Sequence, residues 1–413
     1  MTMQTFKRIT LGLGAVCLIL VASEVNALQL YYMAALLMAL PAVSWAMGWL
    51  ALRGLVVQRS LSAEAWAGDC GELGYLITNP TRLPRYFISI AEVLPTAIVA
   101  TESEPSLFNV GPQSSTRIFL SVQYTRRGVF ALRHVDVAAT DPLGIFTYRR
   151  RLVLDGRVVV LPRPRPMIAP WLGGGRFGWE EFTNEALTGT SVEMAGVRPW
   201  APGDSLRRVH WGQTARTGNL AVIEFDEVQS MSVVIALDNS GAADGDADAP
   251  FEAAVVLAAS LAKAAIERGA GVALLCPGEP TDTETENMPA VPSLAPGRLY
   301  AILRRLAEVK RDAGSSVSAA IGAHRDLLFR GAALIAVSTE AGEELTDSLR
   351  HVLEGGAAVG AMLVQIADDK SEARTVAKGL DRLTAARLPA WRVEFRPEGM
   401  LQPEAAVTRG IYG

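Results

Sequence analysis

The sequence predicts a multidomain chain: a transmembrane helical hairpin, a small β-sandwich-like domain, and a C-terminal doubly wound α/β domain. Three observations predict it. Two apolar runs crowd the first 52 residues, β-rich segments with partial alternation fill residues 59–161, and from Leu220 apolar strands alternate with helical stretches. The boundaries are 1–58 for the hairpin, 59–161 for the β-rich domain, 162–219 for a linker and clasp segment, and 220–413 for the α/β domain.

The hairpin rests on hydropathy. Ala27 to Leu52 is 26 residues without a formal charge, long enough to cross a bilayer. Pro41 interrupts it, which membrane helices tolerate, and Trp45 and Trp49 lie near its far end, where interfacial aromatics are common. Ile9 to Ser23 is a second apolar run of 15 residues, marginal in length. Lys7 and Arg8 precede it, and Arg53 and Arg59 follow the long run. The positive-inside rule therefore places both ends in the cytoplasm and makes the chain a multi-pass protein of the inner (plasma) membrane. The rival reading of the first run is a secretory signal ending near "VNA". In either case the long run returns the soluble domains to the cytoplasm.

Between Arg59 and Leu161 the runs "GELGYLITNP", "STRIFLSVQY", "GVFALRHVDVAAT" and "GRVVVLP" read as strands. Asn79-Pro80 and Asp141-Pro142-Leu143-Gly144 punctuate them as turns. Short strands at this spacing suggest a sandwich. "YRRRL", with Arg149 to Arg151, reads as a solvated strand end; contact with lipid head groups or a partner is the alternative.

The linker opens with "LPRPRP" and continues into a glycine-rich stretch. Gly173, Gly175 and Gly178 fit G-x-G-x-x-G, but a dinucleotide fingerprint needs a strand before it, and here prolines precede it.

In the last domain "SMSVVIALD", "AGVALLC", "AALIAVST" and "AVGAMLVQI" are strands, and "AWRVEFRP" is the last strand. "FEAAVVLAASLAKAAIERG" is a helix stopped by Gly269, and "GRLYAILRRLAEVKRD", "EELTDSLRHVLEGG" and "EARTVAKGLDRLTAARL" are helices. Such alternation builds a parallel sheet covered on both faces, with ligands expected beyond the carboxyl ends of its strands. Asp238 lies at that end of the first strand.

The stretch Gly196 to Glu227 is the most distinctive. Pro202-Gly203 suits a type II turn, Asp204 then caps a short helix, and Arg207, His210, Trp211 and Thr214 share a face of it. Thr217-Gly218-Asn219 turns the chain into a strand that ends at Glu224, Asp226 and Glu227. One reading is a structural clasp in which arginines pair with nearby carboxylates and Trp211 is buried. The other is an anion or partner site built from Arg198, Arg207, Arg208 and Arg216, with His210 beside it.

"RRGVFALRHVDVAATDPLGIF", "VVVLPRP", "VRPWAPGDSLRRVHWGQTARTGNLAVIEF" and "VVIALDNS" resemble the domain-of-unknown-function 58 family. The specific part runs from Arg126 to Ser240. The resemblance implies a membrane hairpin, a β-rich region and a von Willebrand factor A-like α/β domain. It also implies partners, a MoxR-type AAA+ ATPase and a transglutaminase-like membrane protein. It implies no reaction.

A von Willebrand A-like domain often holds magnesium or manganese through D-x-S-x-S, a threonine and a later aspartate. Asp238 and Ser240 fit the first two positions, Ala242 stands at the third, and Ser338-Thr339-Glu340 stands where the later aspartate is expected. Asp244, Asp246 and Asp248 imitate an EF-hand start, but Ala249 and Val255 replace its turn glycine and bidentate glutamate, so this reads as a solvated loop. No cofactor is expected, with weak or partner-completed Mg²⁺ the alternative.

The 413 residues carry a net charge of −4, so nothing global points to nucleic acid. Cys17, Cys70 and Cys276 form no disulfide or metal spacing, as suits a reducing compartment. No P-loop, G-x-S-x-G, H-E-x-x-H or C-x-x-C occurs. The expectation is a non-enzymatic, bilayer-anchored scaffold that binds a protein partner. The alternative is a hydrolase or anion-binding enzyme using residues 198–216.

Overall fold

The computed structural model describes residues 3–25, 27–60, 64–101, 107–141, 144–167, 194–200, 209–225, 232–241, 248–277, 295, 297–314, 316–328, 332–367, 370–396 and 400–405. The chain divides into two units, Met1–Leu161 and Pro162–Gly413.

The first unit opens with two helices, α1 (Met3–Val25) and α2 (Leu28–Ala51), with Pro41 inside the second. Both Thr5–Val25 and Leu28–Ala51 are long and apolar enough to cross a membrane. The first run is thus not marginal, because the helix extends back through Lys7 and Arg8. The two helices pack on small residues: Ala15, Ala22 and Ala34 are buried, as close helix approach without large side chains requires. Phe6, Leu13, Leu20, Tyr32, Leu36 and Trp45 remain exposed. An apolar surface this extensive is what lipid contact explains.

Among the described residues nine strands follow: β1 (Val56–Ser60), β2 (Glu64–Trp66), β3 (Cys70–Asn79), β4 (Arg85–Glu92), β5 (Ile98–Ala100), β6 (Phe108–Val110), β7 (Ser114–Tyr124), β8 (Gly128–Thr140) and β9 (Thr147–Leu161). They form one sheet in the order β1-β3-β7-β5 and another in the order β2-β9-β8-β4-β6. Alternation supplies the core: Leu73, Tyr75 and Ile77 from one sheet meet Ile88, Leu132, Val135 and Val158 from the other.

One polar cluster crosses this core. Arg59 and Glu92 are 3% and 0% exposed and lie 2.7 Å apart. Arg59 also donates to the carbonyls of Leu132 at 2.8 Å and Leu154 at 2.6 Å, and the Tyr75 hydroxyl donates to Glu92. Arg59 is therefore not a membrane-flanking charge, as the sequence suggested. It is a tie between sheets.

Both free ends of the helical hairpin abut the sandwich. Arg8 Nε donates to the Ile145 carbonyl at 2.9 Å and its guanidinium covers the Phe146 ring at 4.6 Å. A Cβ added at Gly48, near the end of α2, would lie 2.6 Å from the Tyr148 ring. Asp141 holds the turn that carries these aromatics: its Oδ1 accepts from Ile145 N at 2.8 Å and Phe146 N at 2.5 Å.

In the second unit the elements are β10 (Met194–Pro199), α3 (Trp211–Thr217), β11 (Ala221–Phe225), β12 (Ser232–Leu237), α4 (Ala249–Glu267), β13 (Gly271–Leu275), α5 (Arg298–Glu308), α6 (Val317–Ala323), α7 (Arg325–Leu328), β14 (Ala332–Ser338), α8 (Glu343–Glu354), β15 (Val359–Ile366), α9 (Lys370–Ala385), β16 (Ala390–Phe395) and β17 (Pro403–Ala405). The main sheet runs β13-β12-β14-β15-β16-β17. Its first five strands are parallel and β17 is antiparallel to β16. "AWRVEFRP" is thus not the last strand; β17 is added at that edge. One face packs Val234, Ala236, Leu334 and Ala336 against Ile321, Leu349, Val376 and Leu383 of α6, α8 and α9. The other is covered by α4 and α5. Helix α4 is apolar enough to cross a membrane, but most of it is buried within the unit, so it is a core helix. Gly269, at φ +79°, follows its end, with Ala270 N bonding Ala265 O at 3.0 Å.

The start of the expected linker is docked on this unit. Arg165 N donates to Ser260 Oγ at 2.8 Å, its guanidinium covers Phe395 at 4.3 Å, and Leu401 N bonds Pro166 O at 2.9 Å. Gly173, Gly175 and Gly178 lie outside the described residues.

Candidate functional site

The order β13-β12-β14-β15-β16 is the 2-1-3-4-5 order of a doubly wound sheet. Its connections leave β12 and β14 in opposite directions, so the crevice of such a sheet opens at the carboxyl ends of these two strands. Asp238, Asn239 and Ser240 follow β12 there, and Ser338 ends β14 with Thr339 and Glu340 just beyond it.

These tips are tied together. Ser338 Oγ lies 2.8 Å from Asp238 Oδ2 and 2.6 Å from the Glu340 carbonyl, and accepts from Glu340 N at 3.1 Å. The other carboxylate oxygen of Asp238 accepts from Ser240 N at 3.0 Å. Asn239 is buried and donates to the carbonyls of Pro277 and Lys310 at 3.2 and 3.1 Å. Asp312 N returns a bond to Asn239 O at 2.9 Å. The loop after α5 is thereby drawn across the strand ends.

That loop delivers Arg311. Its guanidinium donates to the Ser240 carbonyl at 2.7 Å and to Thr339 Oγ1 at 3.1 Å, and it pairs with the Asp248 carboxylate. Both members of the pair have 16% of the side chain exposed. The Phe251 ring lies 5.3 Å from the guanidinium carbon. Gly241 makes room for it: its φ is +115°, and a Cβ there would sit 2.8 Å from Arg311 Nη1.

This donor set does not fit a magnesium or manganese ion. A hard cation needs an array of oxygens with spare negative charge. Here Asp238 is bonded to Ser338 and Ser240, and a fixed positive charge already sits against the Ser240 carbonyl. A dication beside that guanidinium meets repulsion rather than a vacant ligand. Among the described residues no group of three or more His, Cys, Asp or Glu could hold a metal. Ala242, Asp244 and Asp246 lie outside the described residues. Asp248 is not part of a solvated loop. It caps α4, accepting from Phe251 N at 3.2 Å, and balances Arg311.

The clasp is a hairpin with a helix inserted. Strand β10 pairs with β11, Arg198 opposite Val222 and Gly196 opposite Glu224. On the other edge of β11, Val209 bridges Val222 and His210 N bonds Ala221 O at 2.8 Å. Residue 209 is in this bridge and the described helix starts at Trp211, so His210, Trp211 and Thr214 belong to its cap and body. His210 is the N-cap: its Nδ1 accepts from Gln213 N at 2.9 Å, which leaves the proton of a neutral ring on Nε2. Thr214 Oγ1 accepts from Ala221 N at 3.1 Å, and Gly218, at φ +70°, ends the helix. Trp211 is 68% exposed, not buried, and Arg216 is exposed in the last turn. Gly203, Asp204, Arg207 and Arg208 lie outside the described residues.

With this geometry established, comparison with known proteins is informative over the second unit. Residues 196–386 match the family described as "Protein of unknown function DUF58". The match spans the clasp and most of the α/β sheet. A relative in Bacillus subtilis (strain 168), "Uncharacterized protein YeaD", is 26% identical over 245 residues, which cover 55% of this chain and 57% of that protein. Among solved structures, a FixG-related protein from Vibrio parahaemolyticus is 11% identical with a TM-score of 0.18, covering 26% of this chain and 94% of that one. The secreted serine protease VesC from Vibrio cholerae is 11% identical with a TM-score of 0.17, covering 37% of this chain and 29% of that one. Neither structure bears on the reading of the site.

Sequence reasoning missed Arg311. Helical periodicity carried the helix to Asp312, whereas it ends at Glu308 and Val309 is extended at φ −62°, ψ 131°. The signal was the β-branched Val309 followed by "KRDAG", whose aspartate and glycine favour a turn.

Proposed function

We propose that the chain is a membrane-anchored scaffold of the inner (plasma) membrane, multi-pass, with both soluble units in the cytoplasm. Its α/β unit is a von Willebrand factor A-like domain that presents the strand-tip face to a protein partner. The partner is a MoxR-type AAA+ ATPase, and a transglutaminase-like membrane protein belongs to the same assembly.

The observation that carries this reading is Arg311 at the strand tips. A resident guanidinium, balanced by Asp248, organises the loops that a bound cation organises in metal-loaded sheets of this order. The face is thus preorganised for recognition without supplying a Lewis acid or a nucleophile. The strand order supports the fold assignment. The anchor is supported by the two apolar helices, and the cytoplasmic placement by Lys7, Arg8 and Arg53 at the sandwich end of the hairpin. His210, the one histidine of the clasp, caps a helix, which gives the alternative of a clasp-based hydrolase no support.

A photoreactive residue placed at the exposed Glu340 in intact cells tests this. The expected adduct contains an AAA+ ATPase and is absent when the probe sits at the exposed Lys378 of α9. Equal labelling from both positions, or turnover of an ester, phosphoester or peptide by the purified chain that His210→Ala abolishes, contradicts the scaffold reading.

A further inference from the structure

The first unit contains a second feature with chemistry of its own. A cleft of about 490 Å³ lies where α2 ends against the β8–β9 hairpin, lined by Trp49, Arg53, Tyr148, Arg149 and Arg150 among others. Three of its lining side chains are arginines and none is acidic. Arg53 stacks on Trp49, its guanidinium carbon 3.9 Å from the ring, and Trp49 in turn is 6.3 Å from Trp45 in a parallel stack. Arg151 shows the contrast: it is held by Asp136 through two bonds of 2.7 and 2.8 Å. Arg149 and Arg150 are exposed and, among the described residues, neither is hydrogen-bonded to a carboxylate, although Asp136 is near enough to attract Arg149.

The level of the cleft follows from the helices. It begins at the last turn of α2, immediately beyond the apolar span Leu28–Ala51, beside paired tryptophans of the kind that sit at headgroup depth. The start of β4 and the loop before it carry apolar groups outward at the same end. Phe87 adopts φ +52°, which breaks the alternation of β4, so that Tyr86 and Phe87 are both exposed, at 45% and 36%, beside Leu83. Asn79 fixes this loop by donating to the Leu83 and Gly111 carbonyls at 2.8 Å each. These residues line a further cavity with Met47 and Gly48 of α2.

We infer that the cleft of Trp49, Arg53, Arg149 and Arg150 binds the headgroup of an anionic phospholipid, with Leu83, Tyr86 and Phe87 seated in the same interface. Guanidinium forks match a phosphate diester bidentately, and aromatic rings occupy the boundary between chains and headgroups. The inference rests on the anchoring of the α1–α2 hairpin.

The full-length protein in detergent, examined by native mass spectrometry with phosphatidylglycerol, phosphatidylcholine or inorganic phosphate, tests it. Phosphatidylglycerol is expected to bind at least ~10-fold more tightly than phosphatidylcholine. Arg149→Ala/Arg150→Ala and, separately, Arg53→Ala should remove that preference. Arg374→Ala/Lys378→Ala, which removes the same charge from α9, should keep it. Equal binding of the two lipids, retention of the preference in both cleft variants, or displacement of the lipid by inorganic phosphate overturns the inference. Alkaline carbonate extraction of membranes separates the two readings: release of the protein refutes the anchor, whereas a retained protein without lipid preference refutes the cleft alone.

Discussion

Ser338 Oγ lies 2.8 Å from Asp238 Oδ2 and joins the tips of two neighbouring parallel strands. The residues are 100 positions apart in the chain. Ser338 is 1% exposed, so its hydroxyl has no ready substitute in water. Ser338→Ala leaves one oxygen of Asp238 and the Glu340 amide short of a partner. The expected cost is about 1–2 kcal/mol, read as a lower denaturation midpoint of the α/β unit. Ser338→Thr keeps the hydroxyl and should lose less.

Arg311 is the larger contributor. Its removal strands the Asp248 carboxylate and frees the Ser240 carbonyl and Thr339. Arg311→Met is expected to destabilise the unit by about 2–3 kcal/mol. Amide exchange at Ser240, Gly241 and Thr339 should accelerate while the centre of β14 stays protected. Gly241→Ala should produce a similar loss, because a Cβ there meets the guanidinium at 2.8 Å and the backbone is at φ +115°.

The sandwich cluster predicts a pH dependence. Burial raises the Glu92 carboxyl above its ordinary range, while the Tyr75 hydroxyl and the Arg59 guanidinium pull it back. A carboxyl with a raised folded pKa binds its proton more tightly folded than unfolded. Its contribution is fully present below the unfolded value of about 4.3 and is lost as pH rises through the folded value. The stability of the native chain relative to Glu92→Gln should therefore decline from pH 4 towards neutrality in calorimetric scans. A difference that grows with pH contradicts this assignment. Asp136 runs the other way, since its bond to Arg151 lowers its carboxyl, but the pair is exposed and its effect small.

Arg59 carries the cross-sheet tie, so Arg59→Met strands a buried carboxylate. The expected cost is about 3–5 kcal/mol. Arg59→Met/Glu92→Leu should recover a large part of it in a double-mutant cycle, because the second change removes the unpaired charge.

His210 acts through a cap. His210→Ala should cost about 0.5–2 kcal/mol and speed amide exchange at Gln213, whereas His210→Asn should restore protection. A histidine that acted in catalysis instead would not be rescued by asparagine.

Much of the fold was legible. Strands such as "VVIAL" and "ALIAV" are buried on both faces, so their residues are uniformly apolar and easily read. The stop at Gly269 was legible because a left-handed residue is needed there. Strand β8 was legible as a β-rich run, whereas β9 starts at Thr147 and takes in "YRRRL" well before the "GRVVVLP" that the sequence suggested. What escaped depended on tertiary partners. Arg59 is next to an apolar helix in sequence, but its partners Glu92, Leu132 and Leu154 are remote. Trp211 is hydrophobic enough to suggest burial, yet it opens the short helix that follows the bridge at Val209 and stays exposed. At the strand tips Asp238 and Ser240 were found by pattern. Arg311 escaped because it arrives from a loop that only the bonds between Asn239, Lys310 and Asp312 bring across the sheet.

The central claim is that a side chain of this protein provides the positive charge at the strand tips. Titration calorimetry of the full-length protein in detergent with Mn²⁺ and Mg²⁺ tests it most directly. The account predicts no saturable binding in the micromolar range. A micromolar site that Asp238→Ala abolishes and Arg311→Met leaves intact would contradict it.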